Sequence, residues 1–346
     1  MKKHKTIVLV TLFLFILIII SLQLLQEISK DLKKSFKKHY VNNPNDFDIN
    51  ESPIRIKKEN SLILDTLKPN SSMVLAGAYV HINSLGFRDY EYTLKKPENT
   101  FRIAVLGDSF TFGYGILLED TYVKQLEKKL NNNSKKVYEV LNFGGNGGNT
   151  FLEAEYLNNT VLKFEPDLII VGFFPNDAEA EYISDEEYCL KNKETLSRKN
   201  LITDSVIYNS LMDRFNSIKK KVELKTNFDD EDYYFLSLYE ESKPGFVCFK
   251  EGLKRFSEIS KETNIEIVFV IIPHVKRNPV YEFIYDKVGY LVNYYNLTQV
   301  NLYPTFEGYT HEDIIDKKSK HYNQLGNKII ADAIYNFLKK NHKEFN

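Results

Sequence analysis

The residues of this chain best placed to do chemistry are a serine and a histidine more than two hundred positions apart. Ser109 stands in RIAVLGDSFTFGYG, residues 102–115, where an apolar run at 103–106 enters a turn flanked by glycines. A serine in such a turn either caps the following helix or acts as a nucleophile. Gly-Asp-Ser alone is ordinary turn chemistry, so the second reading needs a base, oxyanion donors and a fold that gathers them. The base must take the hydroxyl proton, because a neutral hydroxyl is a weak nucleophile. The tetrahedral intermediate then needs preorganised donors, each typically worth about 2.7–4 kcal/mol. Glycine N–H groups in a tight loop and an asparagine amide suit that task, and His321 suits the first.

The elements that must position these groups follow from the hydrophobic pattern. Strand 103–106 precedes a helical pattern at 120–130, with Val123, Leu126 and Leu130 at helical spacing. A second strand at 137–141 runs into NFGGNGGN, and Thr150 is placed to cap the next helix, with Leu152, Tyr156, Leu157 and Leu162 facing inward. DLIIVGFF, 167–174, is a continuous apolar run suited to burial on both faces. Residues 178–246 break the regularity with acidic clusters and read as a long insertion, a usual site for a substrate cover. A helix at 249–262, a strand at 265–272, a helix at 279–295 and a short strand at 299–302 follow. The last helix spans 323–340, with Ile330, Ala333, Ile334 and Phe337 inward. Five strands alternating with helices predict a parallel sheet covered on both faces.

Ligands bind such sheets off the carboxyl ends of the strands. The loops there supply Asp108 and Ser109, then Asn142 with Gly144, Gly145, Gly147 and Gly148, then Pro175, Asn176 and Asp177. The fourth supplies His274, and the last runs from 309 to His321, which opens the final helix; His274 and His311 are the competing histidines.

At this point the chain resembles a known family. LGDSFTFG, NFGGNGGNT, PND and HYNQLGNKIIADAI resemble, in order, blocks I, II, III and V of the SGNH (GDSL-type) hydrolases, in an extracytoplasmic branch. The resemblance covers about residues 101–338 and implies a flavodoxin-like three-layer α/β sandwich with a five-stranded parallel sheet. It implies Ser109 as nucleophile and first oxyanion donor, Gly147 and Asn176 as the other donors, and His321 as general base, with no cofactor. Gly145 or Gly148 replaces Gly147 if the loop register shifts, and Asp108 and Asp177 buttress their turns. Two positions depart from the pattern. Phe174 stands where block III carries glycine, and Lys318 stands where the triad acid precedes the histidine by three. An ammonium cannot accept the imidazole N–H. Asp316, then Asp313, is the nearest replacement; otherwise a Ser–His dyad oriented by a backbone carbonyl must serve.

Other classes are poorly supported. A net charge of −1 gives no basic face for nucleic acid. Two cysteines, Cys189 and Cys248, exclude a disulfide framework, and whether they pair cannot be read from sequence. No histidine pair has zinc-ligand spacing, so no metal is expected. Gly107-Asp-Ser-Phe-Thr lacks the second glycine of a GxSxG elbow, and GGNGG lacks the dinucleotide fingerprint.

Residues 7–25 carry no charge, and about nineteen residues at ~1.5 Å each span the bilayer core. No small-residue cleavage site follows, so a signal-anchor is expected, with the body outside the cytoplasm. The layout read from the chain is a leader and transmembrane anchor at 1–26, a stalk at 27–72, an arm at 73–100 and the hydrolase domain at 101–343. The expected function is a serine esterase removing O-acetyl or other short acyl groups from a carbohydrate or lipid through an acyl-enzyme at Ser109. The alternatives are an O-acyltransferase of an envelope polysaccharide using the same site, and a non-catalytic envelope assembly protein, the latter motivated by Lys318.

Overall fold

A computed structural model describes residues 54–56, 66–132, 134–145, 148–179, 206–223 and 227–345. The expected anchor at 7–25 and most of the stalk lie outside these residues. The chain divides into Met1–Ile49 and Asn50–Asn346, and the described residues belong to the second unit. Among them no helix is long and apolar enough to cross a membrane.

Two small antiparallel ladders come first: β1 (Arg55–Ile56) with β2 (Thr66–Leu67), and the hairpin of β3 (Ser71–Leu75) with β4 (Ala78–Ile82). Strand β4 alternates, burying Ala78, Val80 and Ile82 while Tyr79 and His81 face out. The main sheet holds β5 (Thr100–Gly107), β6 (Val137–Gly144), β7 (Leu168–Phe173), β8 (Glu266–Ile271) and β9 (Thr298–Asn301). All are parallel, in the order β6-β5-β7-β8-β9. By order of appearance this is 2-1-3-4-5, a doubly wound sheet whose switch point lies beside the end of β5. Ile103, Ala104, Val105 and Leu106 are fully buried, as an unbroken apolar run must be when helices cover both faces. Strand β5 begins earlier than the apolar run because buried Arg102 is satisfied in place. Its guanidinium meets Glu139 and donates to the carbonyls of Thr93, Leu94 and Phe164.

The helices are α1 (Ser109–Phe112), α2 (Tyr122–Asn131), α3 (Thr150–Asn159), α4 (Val206–Glu223), α5 (Asp230–Leu238), α6 (Pro244–Thr263), α7 (Pro279–Tyr294), α8 (His311–Ile314) and α9 (Gln324–Asn341). Helix α2 packs on α9, and α3 on α6, as right-handed crossovers from this strand order require. Three expectations shift. Asn149, not Thr150, caps α3, its side chain accepting from Leu152 N–H at 3.0 Å. Leu162 falls in the short turn of helix after α3. The fully buried stripe of α9 runs through Ile330, Ala331, Ile334 and Leu338, leaving Ala333 and Phe337 half-buried.

The described part of the insertion is tied to the body. Helices α4 and α5 pack on α7. Tyr239 donates its hydroxyl to the carbonyl of Pro175 at 2.9 Å, and the buried Lys287 ammonium donates to the carbonyl of Tyr239 at 2.8 Å. Cys248, on α6, is disulfide-bonded; Cys189 lies outside the described residues.

Candidate active site

Strand β5 ends in a turn that only its sequence permits. Gly107 has φ +153, and a Cβ there would lie 2.0 Å from Thr111 Oγ1. Asp108 then caps α1, its Oδ1 accepting the Phe110 N–H at 2.9 Å. Ser109 opens the helix, so its own N–H has no acceptor within α1. Other segments hold this single turn from outside. Asn142, at the end of β6, donates to the Thr111 carbonyl at 3.0 Å, and Thr111 Oγ1 bonds the Tyr122 hydroxyl at 2.7 Å. Arg88, from the arm and only 1% exposed, donates to the carbonyls of Phe112 (2.9 Å), Gly113 (2.5 Å) and Ile116 (2.6 Å). A cation at the C-terminal end of α1 also matches the helix dipole. Asp89 beside it accepts from Asn142 N–H at 2.7 Å and pairs with buried Lys124. The arm at 73–100 is thus built into the nucleophile turn.

His321 comes to Ser109 from the far end of the chain, with Nε2 2.7 Å from Ser109 Oγ. Its other ring nitrogen, Nδ1, lies 2.6 Å from the carbonyl oxygen of Ser319. A carbonyl only accepts, so Nδ1 carries the proton and Nε2 is left bare. That is the tautomer a general base needs. Burial of the ring, set against the Ser319 carbonyl and the more distant Asp316 charge, lowers the His321 pKa to about 4. The ring is packed by aromatic neighbours, with Phe110 at 4.5 Å and Tyr114 at 4.9 Å between centroids. Phe110 in turn stacks on Phe174 at 3.9 Å, so the departure from glycine at 174 supplies an apolar wall beside the base.

Asp316 does not take the expected place on the imidazole. The loop does bulge, but its carboxylate turns to the backbone, accepting the N–H groups of Lys318 (3.0 Å) and Ser319 (2.8 Å). These bonds, with Lys320 N–H on the Asp316 carbonyl at 2.9 Å and Lys320 in a left-handed conformation, curl residues 316–321 until the Ser319 carbonyl faces the ring. A residue three positions before the histidine cannot serve, because Lys318 is exposed. Asp313 is spent capping α8 through Thr310. Gly115 (φ +83) makes room for this loop, since a Cβ there would lie 2.4 Å from Ser319 Cβ. The other histidines are elsewhere: His274 stacks on Tyr281 at 4.5 Å with Glu231 3.6 Å from its Nε2, and His311 is exposed at the start of α8.

Of the oxyanion donors, Asn176 sits in the helical turn Pro175–Ala178 directly after β7, with its amide facing the Asp108 carboxyl. Gly147 lies outside the described residues. The substitute Gly145 is excluded, because its N–H is already donated to the Gly107 carbonyl at 2.9 Å. Beneath the turn sit three buried carboxyls, Asp108, Glu153 and Asp177, at most 1% exposed. Burial raises all three pKa values, Asp108 to about 7. Glu153 on α3, like Arg88 and the Ser319 carbonyl, was not singled out from the sequence. Among the described residues no cluster of His, Cys, Asp or Glu could hold a metal ion.

No protein-family model and no curated protein matches this chain. Solved structures do. A lipase/acylhydrolase from Enterococcus faecalis is 16% identical, covering 69% of this chain and 96% of its own, with a TM-score of 0.42. A psychrotrophic esterase from Pseudoalteromonas sp. is 14% identical over 70% of this chain and 98% of its own, with a TM-score of 0.42. An acetylxylan esterase from Geobacillus stearothermophilus is 14% identical over 71% and 95%, also at 0.42. The chain is similar to these proteins, while the pairing of Ser109 with His321 stands on their own contact.

Proposed function

We propose that this protein is a serine esterase of the SGNH type, acting on O-acetyl or other short acyl esters of a carbohydrate or lipid. The observation that carries this reading is Ser109 Oγ at 2.7 Å from a His321 Nε2 whose proton is held on the opposite nitrogen. Ser109 Oγ attacks the ester carbonyl carbon while its proton passes to Nε2, and the carbonyl electron pair moves onto oxygen. The resulting oxyanion is met by the Ser109 N–H at the start of α1 and by the Asn176 amide. Collapse breaks the bond to the leaving alcohol, which takes the proton back from Nε2. Water, deprotonated in its turn by His321, then releases the acyl group and regenerates Ser109. Imidazolium is stabilised at Nδ1 by the Ser319 carbonyl, with the Asp316 charge farther off. In triads the loss of the acid lowers kcat by up to ~10⁴, so turnover is set below that of a full triad. Lys318, the motive for a non-catalytic reading, is exposed, and the Ser319 carbonyl on Nδ1 orients the ring without an acid, which supports the catalytic reading.

The apolar wall of Phe110, Phe174 and Tyr114 supports a small acyl group, and residues 7–25 support anchoring at a membrane with this domain outside the cytoplasm. A fluorophosphonate applied to the full chain should label Ser109, and labelling should disappear in His321→Ala. No labelling at Ser109 in the wild type would overturn the reading. Product analysis with and without a polysaccharide acceptor distinguishes hydrolysis from acyl transfer.

A further inference from the structure

The turn that carries Asn176 is braced by a residue of the insertion. In Pro175–Ala178 the Asp177 carboxyl accepts the Phe174 N–H at 3.3 Å, and the Asn176 carbonyl accepts the Glu179 N–H at 2.8 Å. These bonds close the turn on itself without fixing where it stands beside Ser109. Proline has no N–H, so the Pro175 backbone can be gripped by a donor only at its carbonyl. Tyr239 makes that contact, its hydroxyl donating to the Pro175 carbonyl oxygen at 2.9 Å. The Pro175 carbonyl and the Asn176 nitrogen belong to one planar peptide group, so a bond that aims the first also sets the second. Tyr239 is itself held firmly. It is fully buried directly after α5, with its ring centroid 5.6 Å from that of Phe246 and 6.4 Å from that of Phe249. Its own carbonyl accepts from the buried Lys287 ammonium on α7 at 2.8 Å. Both α5 and α6 pack against the Pro175–Ala178 turn. The Asn176 amide carries two N–H groups; one is donated to the Asp108 carboxyl, and the other is left for the oxyanion.

We infer that Tyr239 is a positioning residue of the oxyanion hole, holding Asn176 in register with Ser109 through the Pro175 carbonyl. This rests on the reading of Ser109 as nucleophile and Asn176 as oxyanion donor. The insertion, expected as a substrate cover, thereby supports the chemical step from behind the site. An oxyanion donor acts in the transition state, so the loss of its support falls on kcat and leaves KM little changed. A residue that only packed the insertion against the body would lower stability and leave the turnover of folded molecules as it was.

The test is p-nitrophenyl acetate hydrolysis by the full chain, with kcat counted per serine labelled by a fluorophosphonate, so that unfolded molecules do not enter. Tyr239→Phe removes the hydroxyl and keeps the ring against Phe246 and Phe249. Its kcat should fall about tenfold, as a modest misplacement of Asn176 does, while KM changes less than about twofold. Asn176→Ala should lose about a hundredfold, the order of one oxyanion donor. In that background Tyr239→Phe should lower kcat by less than about twofold more, because the group it positions is gone. An unchanged kcat in Tyr239→Phe, or the same tenfold loss in both backgrounds, would overturn the inference. An Asn176→Ala variant that keeps full kcat would remove the donor and this inference together. Labelling separates these failures from that of the underlying reading. A labelled Ser109 with independent losses sinks the role of Tyr239 alone, whereas an unlabelled Ser109 in the wild type sinks the esterase reading with it.

Discussion

The turn that carries Ser109 and the loop that carries His321 meet at 2.7 Å, yet they are held by different means. The turn is fixed from a distance. Arg88 from the arm and Asn142 from β6 both grip α1, and all the side chains involved are buried. The loop is fixed by itself: Asp316, Lys318, Ser319 and Lys320 exchange hydrogen bonds within five residues, and two of these residues, Lys318 and Lys320, are exposed. Damage to the first region should therefore appear as lost stability. Damage to the second should appear as lost turnover in a folded protein.

The largest effect falls on the turn. Arg88→Ala takes the charged donor from three carbonyls, of which Gly113 keeps the Ile116 N–H, and should cost about 2–6 kcal/mol, from about 1–3 kcal/mol for each of the two left unsatisfied. Chemical denaturation measures it directly. Arg88→Lys should recover less than half, because a lysine cannot span carbonyls that a guanidinium fork reaches together. A cost below ~1 kcal/mol in Arg88→Ala would break the contrast. Gly115→Ala acts on the loop instead, pushing Ser319 and with it the carbonyl on Nδ1. It should lower kcat about 10–100-fold, as misplacement of this order does, with a much smaller shift in the denaturation midpoint than Arg88→Ala. The smallest effect is expected at Asp316→Asn. The carboxamide oxygen can still accept the Lys318 and Ser319 amides, so the rate should stay within about threefold. A loss well beyond tenfold would mean that the carboxylate acts on His321 directly.

Much of this architecture was legible in the sequence, and the parts that were not share a cause. Strand runs such as LIIVGF announce double-sided burial, and Ser109 and His321 announce themselves by residue type and place at the sheet edge. The orienting group on Nδ1 is the backbone carbonyl that stood as the alternative to an acid, but every residue possesses one, so no side chain could single out position 319. Arg88 was hidden because a lone arginine in the arm reads as surface; the one hint was an Arg-Asp pair beginning two residues after Gly86. Glu153 was hidden on a helix whose acid would ordinarily face water. The acid was sought by its distance from the histidine, but curling of 316–321 made that count irrelevant. Gly145 shows the same limit, since a loop glycine can look free while its N–H is already committed to Gly107.

The central claim is that a carbonyl-oriented, neutral imidazole is the base for Ser109, and nitrogen NMR of His321 tests it most directly. In the full chain with labelled histidine, the ring should carry its proton on Nδ1 and leave Nε2 bare at neutral pH. It should titrate near pH 4, well below the ordinary histidine range, in keeping with its burial. The acid limb of kcat/KM should follow the same midpoint, because activity persists while the ring stays neutral as pH falls. A proton found on Nε2, or a His321 midpoint at or above the ordinary value near 6.5, would contradict the account.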